Sequence, residues 1–305
     1  MNNDPSRWLI IISGPTAAGK TSVAVAVARH FNTSILSADS RQFYSEMFIG
    51  TARPSVEAMA GIPHYFSGNF SVNDNYNISR FEKDVIQKLD VLFAENHFVV
   101  MAGGSGLYIN AVCHGIDELP EPDENLRANL SQLFISEGIG MLQKKLLELD
   151  PAYYQQVDLS NPNRLIRALE VCITTGMPYS SLRKNKPVER SFRTVKIGLT
   201  LPKEELNRRI NTRVDEMINN GLVEESKAMY PFRKLNAMNT VGYRELFDYF
   251  DGRSTLEAAI ERIKLNTRRY AKRQLTWFKN DKEITWFHPD NVSLIIEFIT
   301  RNCYI

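Results

Sequence analysis

The stretch Gly14-Pro15-Thr16-Ala17-Ala18-Gly19-Lys20-Thr21 constrains this chain more than any other. It fits G-x-x-x-x-G-K-[ST], a loop whose backbone N–H groups wrap a phosphate chain. Such a loop sits between a buried parallel strand and a helix, and both flanks read that way. Trp8-Leu9-Ile10-Ile11-Ile12 is a short apolar run, and Ser22 to His30 is rich in Ala and Val. The glycines let the backbone approach a diphosphate closely, and the helix N-terminus aims its free N–H groups at it. Lys20 adds a point charge, and the Thr21 hydroxyl can hold Mg²⁺ or bond a phosphate oxygen. The motif specifies a diphosphate or triphosphate ligand without saying what is done with it.

Three hundred and five residues, 43% of them apolar and 24% charged, suffice for a large globular core with a smaller appended domain. The formal net charge of +2 announces no nucleic-acid binding, so any such case needs a local basic patch. Cys113, Cys172 and Cys303 are far apart and without metal-ligand spacing, as expected of reduced thiols. The polar residues 1–7 and the apolar run that ends in the phosphate loop match neither a signal peptide nor a membrane span. The expectation is a soluble, cytoplasmic protein. With no extended apolar surface signature, the default is a monomer.

Further along, Ser34 to Ala38 reads as a second strand ending at Asp39-Ser40-Arg41-Gln42. Residues 43–79 look loop-rich, a substrate-facing excursion. Residues 79–96 place Phe81, Val85, Leu89, Leu92 and Phe93 on one helical face. His97 to Ala102 is a third strand, running into Gly103-Gly104-Ser105-Gly106. The alternation then stops. A linker at 117–122, polar helices near 123–137, 139–149 and 162–175, and a flexible Lys/Arg/Pro segment at 183–193 make an insertion. Thr194 to Thr200 resumes as a strand, helices follow at 203–220 and about 255–278, and Glu283 to Phe287 and Val292 to Arg301 read as a last strand and helix. The expected fold is α/β: a P-loop NTPase-like parallel-sheet core, residues 1–112 and 194–305, with a mostly α-helical insertion domain at 113–193.

Ligands of open α/β sheets bind at the carboxyl ends of the strands. The phosphate loop, Asp39-Ser40-Arg41-Gln42 and Gly103-Gly104-Ser105-Gly106 all fall there, so a single site is expected. Asp39 could hold Mg²⁺ or act as a base; its plain structural alternative is a helix N-cap. Gly103 and Gly104 permit close backbone approach, with Ser105 adding a hydroxyl, or form a mere tight turn. On the helix at 203–220, Arg209 and Arg213 share a face, either solvated or reaching back to a phosphate. In Thr267 to Lys279 five cations, Arg268, Arg269, Lys272, Arg273 and Lys279, interleave with Tyr270, Trp277 and Phe278. That pattern suits backbone contact with stacking on unpaired bases, or an amphipathic helix whose aromatics are core. The second acidic residue of a P-loop ATPase is missing after the strand at 97–102, although Asp39 could serve.

Together these motifs resemble the tRNA dimethylallyltransferases, the isopentenyl-transferring tRNA-modifying family. The resemblance runs in order through Gly14–Thr21, Asp39–Gln42, Met47–Pro54, Gly103–Tyr108, Asn163–Glu170, Val241–Arg244 and Arg269–Trp277, nearly the whole chain. It implies transfer of a dimethylallyl group from its diphosphate to the exocyclic N6 of the adenosine just 3′ of a tRNA anticodon. The loop Gly14–Thr21 would then hold dimethylallyl diphosphate. Lys20, Thr21 with Mg²⁺, and Arg213 would stabilise the leaving diphosphate, and Asp39 would take the proton as N6 attacks. Ser105 stands where many relatives have threonine and keeps the hydroxyl. Asp39, Ser40, Arg41, Gln42, Ser105, Arg127, Asn163, Arg164, Arg167, Gly242, Tyr243, Arg244, Arg269, Lys272, Arg273 and Gln274 match tRNA-contacting positions that would grip the anticodon stem-loop, the insertion clamping the far side. Eukaryotic members often add a C-terminal zinc finger, which Cys303 alone cannot form, so the chain looks bacterial in type. The competing readings are a P-loop kinase for a small metabolite or nucleotide, a prenyltransferase for free adenine nucleotides, and a non-catalytic RNA-binding protein with a vestigial loop.

Overall fold

Apolar strands separated by amphipathic helices can bury both faces of a sheet, and that is how this chain folds. The computed structural model describes residues 6–117, 119–121, 123–183 and 186–303. Parts of the expected linker (118 and 122), of the Lys/Arg/Pro segment (184 and 185) and of the polar N-terminus (1–5) lie outside the described residues. Six strands, β1 (Trp8–Ser13), β2 (Ile35–Ser37), β3 (His64–Tyr65), β4 (Phe98–Gly103), β5 (Arg193–Leu199) and β6 (Thr285–Phe287), form one sheet. Every pairing is parallel, in the order β3-β2-β4-β1-β5-β6. Strand β3 is not expected from the sequence. It is two residues long and half-buried inside the excursion at 43–79, so it carries no periodic signal.

Alternate residues of the strands serve opposite layers. Leu9, Ile11, Val99 and Met101 pack with Phe81, Val85 and Leu89 of the helix Ile78–Leu92 and with Ile109 and Val112 of the helix Gly106–His114. Ile10, Ile12, Val100 and Ile197 face Val23, Ala24 and Val27 of the helix Lys20–His30, together with Ile295 and Ile299 of the helix Val292–Cys303. Between the fifth and sixth strands run the helices Lys203–Asn219, Leu222–Met229, Tyr243–Phe250 and Leu256–Lys279.

Two backbone approaches fix the carboxyl edge of the sheet. Gly14 has φ +147°, and a Cβ there would stand 2.7 Å from the Leu199 carbonyl oxygen. A Cβ on Gly103 would stand 2.2 Å from the Ala38 carbonyl oxygen. Both neighbours are main chain, so neither can swing aside.

The chain separates into two compact units, Met1–Cys113 with Glu189–Ile305, and His114–Val188. The second is helical, with Glu124–Glu137, Ile139–Leu149 and Pro162–Thr175 enclosing Leu130, Leu142, Leu146, Leu165 and Leu169. Asp150 is fully buried, its carboxylate accepting from the N–H groups of Tyr153 and Ser180 at 2.9 and 2.6 Å and from the Ser180 hydroxyl. Pro151 and Pro162 stand in the first turns of their helices, where the missing N–H has no partner to lose. The unit closes on itself, the Val188 N–H donating to the His114 carbonyl at 2.7 Å.

Gly103→Ala should cost about 3 kcal/mol of stability or more, because the added methyl meets backbone that cannot move away. Chemical denaturation of the variant against the parent checks this; a change under about 0.5 kcal/mol would contradict the close approach.

Candidate active site

Ser13 closes β1 opposite Gly103 of β4 and Gly198 of β5, so the loops after these strands leave the sheet side by side. Side chains then stitch them together. The Ser105 N–H donates to the Ala38 carbonyl at 3.1 Å, and the Ser105 hydroxyl accepts from the Ser40 N–H at 3.0 Å. Gln274, from the helix Leu256–Lys279, accepts from the Thr16 N–H through Oε1 and donates to the Gly104 carbonyl through Nε2, both at 2.9 Å. Phosphate loop, Asp39 turn and glycine turn are thereby one assembly. The phosphate loop holds left-handed backbone at Gly19 (φ +87°) and at Ala17 (φ +63°). The second is strain in a residue that carries a side chain.

Charge gathers at this assembly. The Lys20 ammonium donates to the carbonyls of Gly14 and Pro15 at 3.0 and 2.7 Å. Exclusion of water pushes its pKa down to about 8, with Asp39 opposing the shift and Arg213 adding to it. Arg213 leaves its helix for the phosphate loop, Nη1 donating to the Thr16 hydroxyl at 3.4 Å. Its pKa too is lowered by burial, against Glu216 and Asp39. Arg209, on the same face, instead pairs with Glu205 at 2.8 Å. Asp39 lies within electrostatic reach of Lys20, Arg213 and Tyr270. No helix begins at Asp39; its Oδ1 accepts from the Arg41 N–H at 3.1 Å, shaping a turn. Tyr270 is held protonated, chiefly by burial. The Thr21 hydroxyl, in the first turn of the helix after the loop, is exposed.

The remaining sequence-derived candidates divide by exposure. Arg244, Arg269, Lys272 and Arg273 are exposed, and Lys272 and Arg273 line a hollow of about 270 Å³ with Thr276, Trp277 and Asn280. Trp277 is 42% exposed and Phe278 only 3%, so one aromatic of the basic stretch is surface and another is core. Four of the expected RNA-contact residues are engaged within the protein itself. Tyr243 is 0% exposed, its hydroxyl donating to Glu225 at 2.6 Å. Gln274 is occupied by the two loops that it joins. The Gln42 amide nitrogen donates to the carbonyls of Thr51 and Ala52 at 3.1 and 3.2 Å. Gly242 is a buried left-handed turn (φ +103°) whose N–H is taken by Glu245 at 2.8 Å.

In the second unit Asn163 and Arg164 are exposed in the first turn of their helix. Arg127 and Arg167 flank the buried Glu170 at 3.7 and 3.5 Å, and Arg167 also donates to the Pro120 carbonyl at 2.8 Å. Glu170 has its carboxyl pKa raised by desolvation, against the pull of both arginines.

Sequence reading missed Glu225. Its carboxylate accepts from the consecutive N–H groups of Phe48, Ile49 and Gly50 at 3.0, 2.8 and 2.8 Å. In the sequence it is one of two glutamates in the first turn of a helix, where acids are ordinary dipole partners, and nothing else marks it.

Sheet order and loop assembly define an α/β protein of the P-loop class. The IPP transferase family model matches residues 42–281. A tRNA dimethylallyltransferase of Christiangramia forsetii is 54% identical over 295 residues, covering 96% of this chain and 98% of that protein. The chain belongs to the IPP transferase family. The crystal structure of the tRNA isopentenylpyrophosphate transferase of Bacillus halodurans is similar at a TM-score of 0.73 and 36% identity, covering 98% of this chain and 97% of its own. A eukaryotic dimethylallyltransferase, solved acting on tRNA, shares the fold at a TM-score of 0.77 and 24% identity, over 94% of this chain and 75% of its own.

The lowered pKa of Lys20 has a signed consequence for stability. The unfolded chain keeps this proton up to the ordinary value of 10.5, whereas the fold releases it near 8. Between those values the unfolded state binds more protons, so Lys20 makes stability rise with pH. The stability of the parent relative to Lys20→Met should therefore increase from pH 8 to 10.5 and stay level below 8. Denaturant titrations across that range check it; a flat difference would mean an ordinary lysine.

Proposed function

We propose that this protein transfers a dimethylallyl group from dimethylallyl diphosphate to N6 of the adenosine 3′-adjacent to the anticodon in tRNA, releasing diphosphate. The observation that carries the reading is kinship across nearly the full chain with tRNA dimethylallyltransferases, joined to a phosphate loop that shares its site with Asp39 and Arg213. In this reading the loop Gly14–Thr21 holds the diphosphate of the prenyl donor. Lys20 and Arg213 are preorganised where negative charge grows as the C1–O bond breaks. The N6 lone pair forms the new bond to C1, the C1–O pair leaves with the diphosphate, and Asp39 takes the N6 proton.

Mg²⁺ suits this site as a shared ion. Among the described residues no group of three His, Cys, Asp or Glu side chains could chelate a metal. The exposed Thr21 hydroxyl at the loop offers one hard oxygen, which matches an ion held mainly by substrate phosphates and water. Bound there, it would neutralise diphosphate charge.

The target adenosine has to leave its stack to react. Exposed Arg244, Arg269, Lys272 and Arg273 are suited to phosphates of the anticodon stem-loop, and Trp277 to an unstacked base. Arg127, Asn163, Arg164 and Arg167 add polar and cationic contacts from the second unit. Ser40 and Arg41 flank the base-handling carboxylate, and Ser105 holds that turn in place. We read the protein as a monomer acting in the cytoplasm; no described helix is long and apolar enough to cross a membrane.

Incubation with Mg²⁺, dimethylallyl diphosphate and unmodified tRNA, followed by nucleoside mass analysis, tests the reading. It should add one prenyl group to adenosine. Phosphate moved from ATP to a small acceptor, with no prenyl transfer, would overturn it. Asp39→Ala should cut turnover by roughly 10²- to 10⁴-fold and leave tRNA affinity nearly unchanged, while Arg213→Ala should chiefly weaken binding of the prenyl diphosphate. Because a bound anion favours protonated Lys20, binding of the prenyl diphosphate should take up a proton near pH 8 and weaken above it. Calorimetry in buffers of different ionisation heat reads that uptake directly.

A further inference from the structure

We propose that Glu225 is a positioning residue that holds the Asp39 turn through the segment 48–52. The proposal rests on the prenyl-transfer reading only in naming Asp39 as the base. Three successive N–H groups that face one way form a nest for an anion, and here a carboxylate of the same chain fills it. A fourth donor, the Tyr243 hydroxyl, completes the shell at 2.6 Å. Bonds to an ionised acceptor are the strong ones, and four converge on this single side chain. The contact also requires glycine at position 50. A Cβ there would stand 2.6–2.8 Å from the Tyr243 ring and hydroxyl and lift the segment away from the helix Leu222–Met229.

From this anchor an unbroken series of bonds reaches Asp39. The segment's next carbonyls, Thr51 and Ala52, both accept from the Gln42 side-chain amide. Gln42 accepts from the Ser37 hydroxyl at 3.3 Å, and its N–H donates to the Asp39 carbonyl at 3.1 Å. Asp39 lies in neither helix nor strand, so regular structure does not fix it. It is held on one side by Ser105, through Ser40, and on the other by Gln42. Glu225 anchors the second tether from the helix Leu222–Met229. A base displaced by about 1 Å can lose about 10²-fold in rate, which is what such an anchor prevents.

The test compares the parent with Glu225→Gln, which keeps the side chain's size but turns an amide toward N–H donors, and with Tyr243→Phe, which keeps the ring on Gly50 and removes one donor. Hydrogen exchange should quicken about tenfold or more at 48–52 and at 39–42 in Glu225→Gln, with residues 14–21 unchanged. The kcat for prenyl transfer should fall about 10- to 100-fold, while KM for the prenyl diphosphate stays within about twofold. Glu225→Asp should recover part of the rate, and Tyr243→Phe should shift the same quantities less. Unchanged exchange at 39–42 overturns the proposal, as does an unchanged kcat or a parallel rise in KM. If Glu225→Gln fails to fold, Tyr243→Phe carries the same measurement. If the parent transfers no prenyl group, the functional reading falls, and exchange at 39–42 still decides whether the tether exists.

Discussion

The carboxamide of Gln274 is the interaction on which the site depends. An amide is both donor and acceptor, so one side chain can take an N–H from the phosphate loop and give one to the glycine turn. It fits only because residue 104 lacks a Cβ, which would come within 2.2 Å of the amide nitrogen. Two loops from different strands are thus spaced by a third element, the long helix that also carries the exposed cations. A glutamate in its place would keep one contact and lose the other, since a carboxylate cannot donate.

Electrostatics gives the assembly its direction. Lys20 and Arg213 are both held where protein replaces water, and both find their cationic form disfavoured, as the lowered pKa of each records. Carbonyl groups and Asp39 offset only part of that cost. An anion placed beside the two cations would favour their charged forms and so offset the penalty of burial. Asp39 lies within electrostatic reach of both cations.

Much of this is legible in the sequence because it rests on local rules. The loop Gly14–Thr21 has to lie between a buried strand and a helix, and β1 and the helix Lys20–His30 flank it. The prolines at 151 and 162 announce helix starts because proline tolerates the first turn and little else. Arg213 is found by its spacing but not separated from Arg209; a shared helical face cannot say which arginine meets the loop and which meets Glu205. The bonds of Tyr243, Gln42 and Gln274 within the protein are hidden for a related reason. Polar and aromatic residues in a functional motif look alike whether they touch the ligand or hold what touches it. Glu225 is invisible because its partners are backbone N–H groups 175 to 177 residues away, and backbone has no sequence signature.

The bond between the Val188 N–H and the His114 carbonyl brings the two ends of the helical insertion together. The residues 114–188 therefore form a loop whose two ends meet. The entropy of closing such a loop grows only with the logarithm of its length. Helices can be lengthened, shortened or exchanged within the insertion while the core's own closure term barely changes. A chain built this way can vary its helical unit on a different evolutionary clock from its sheet.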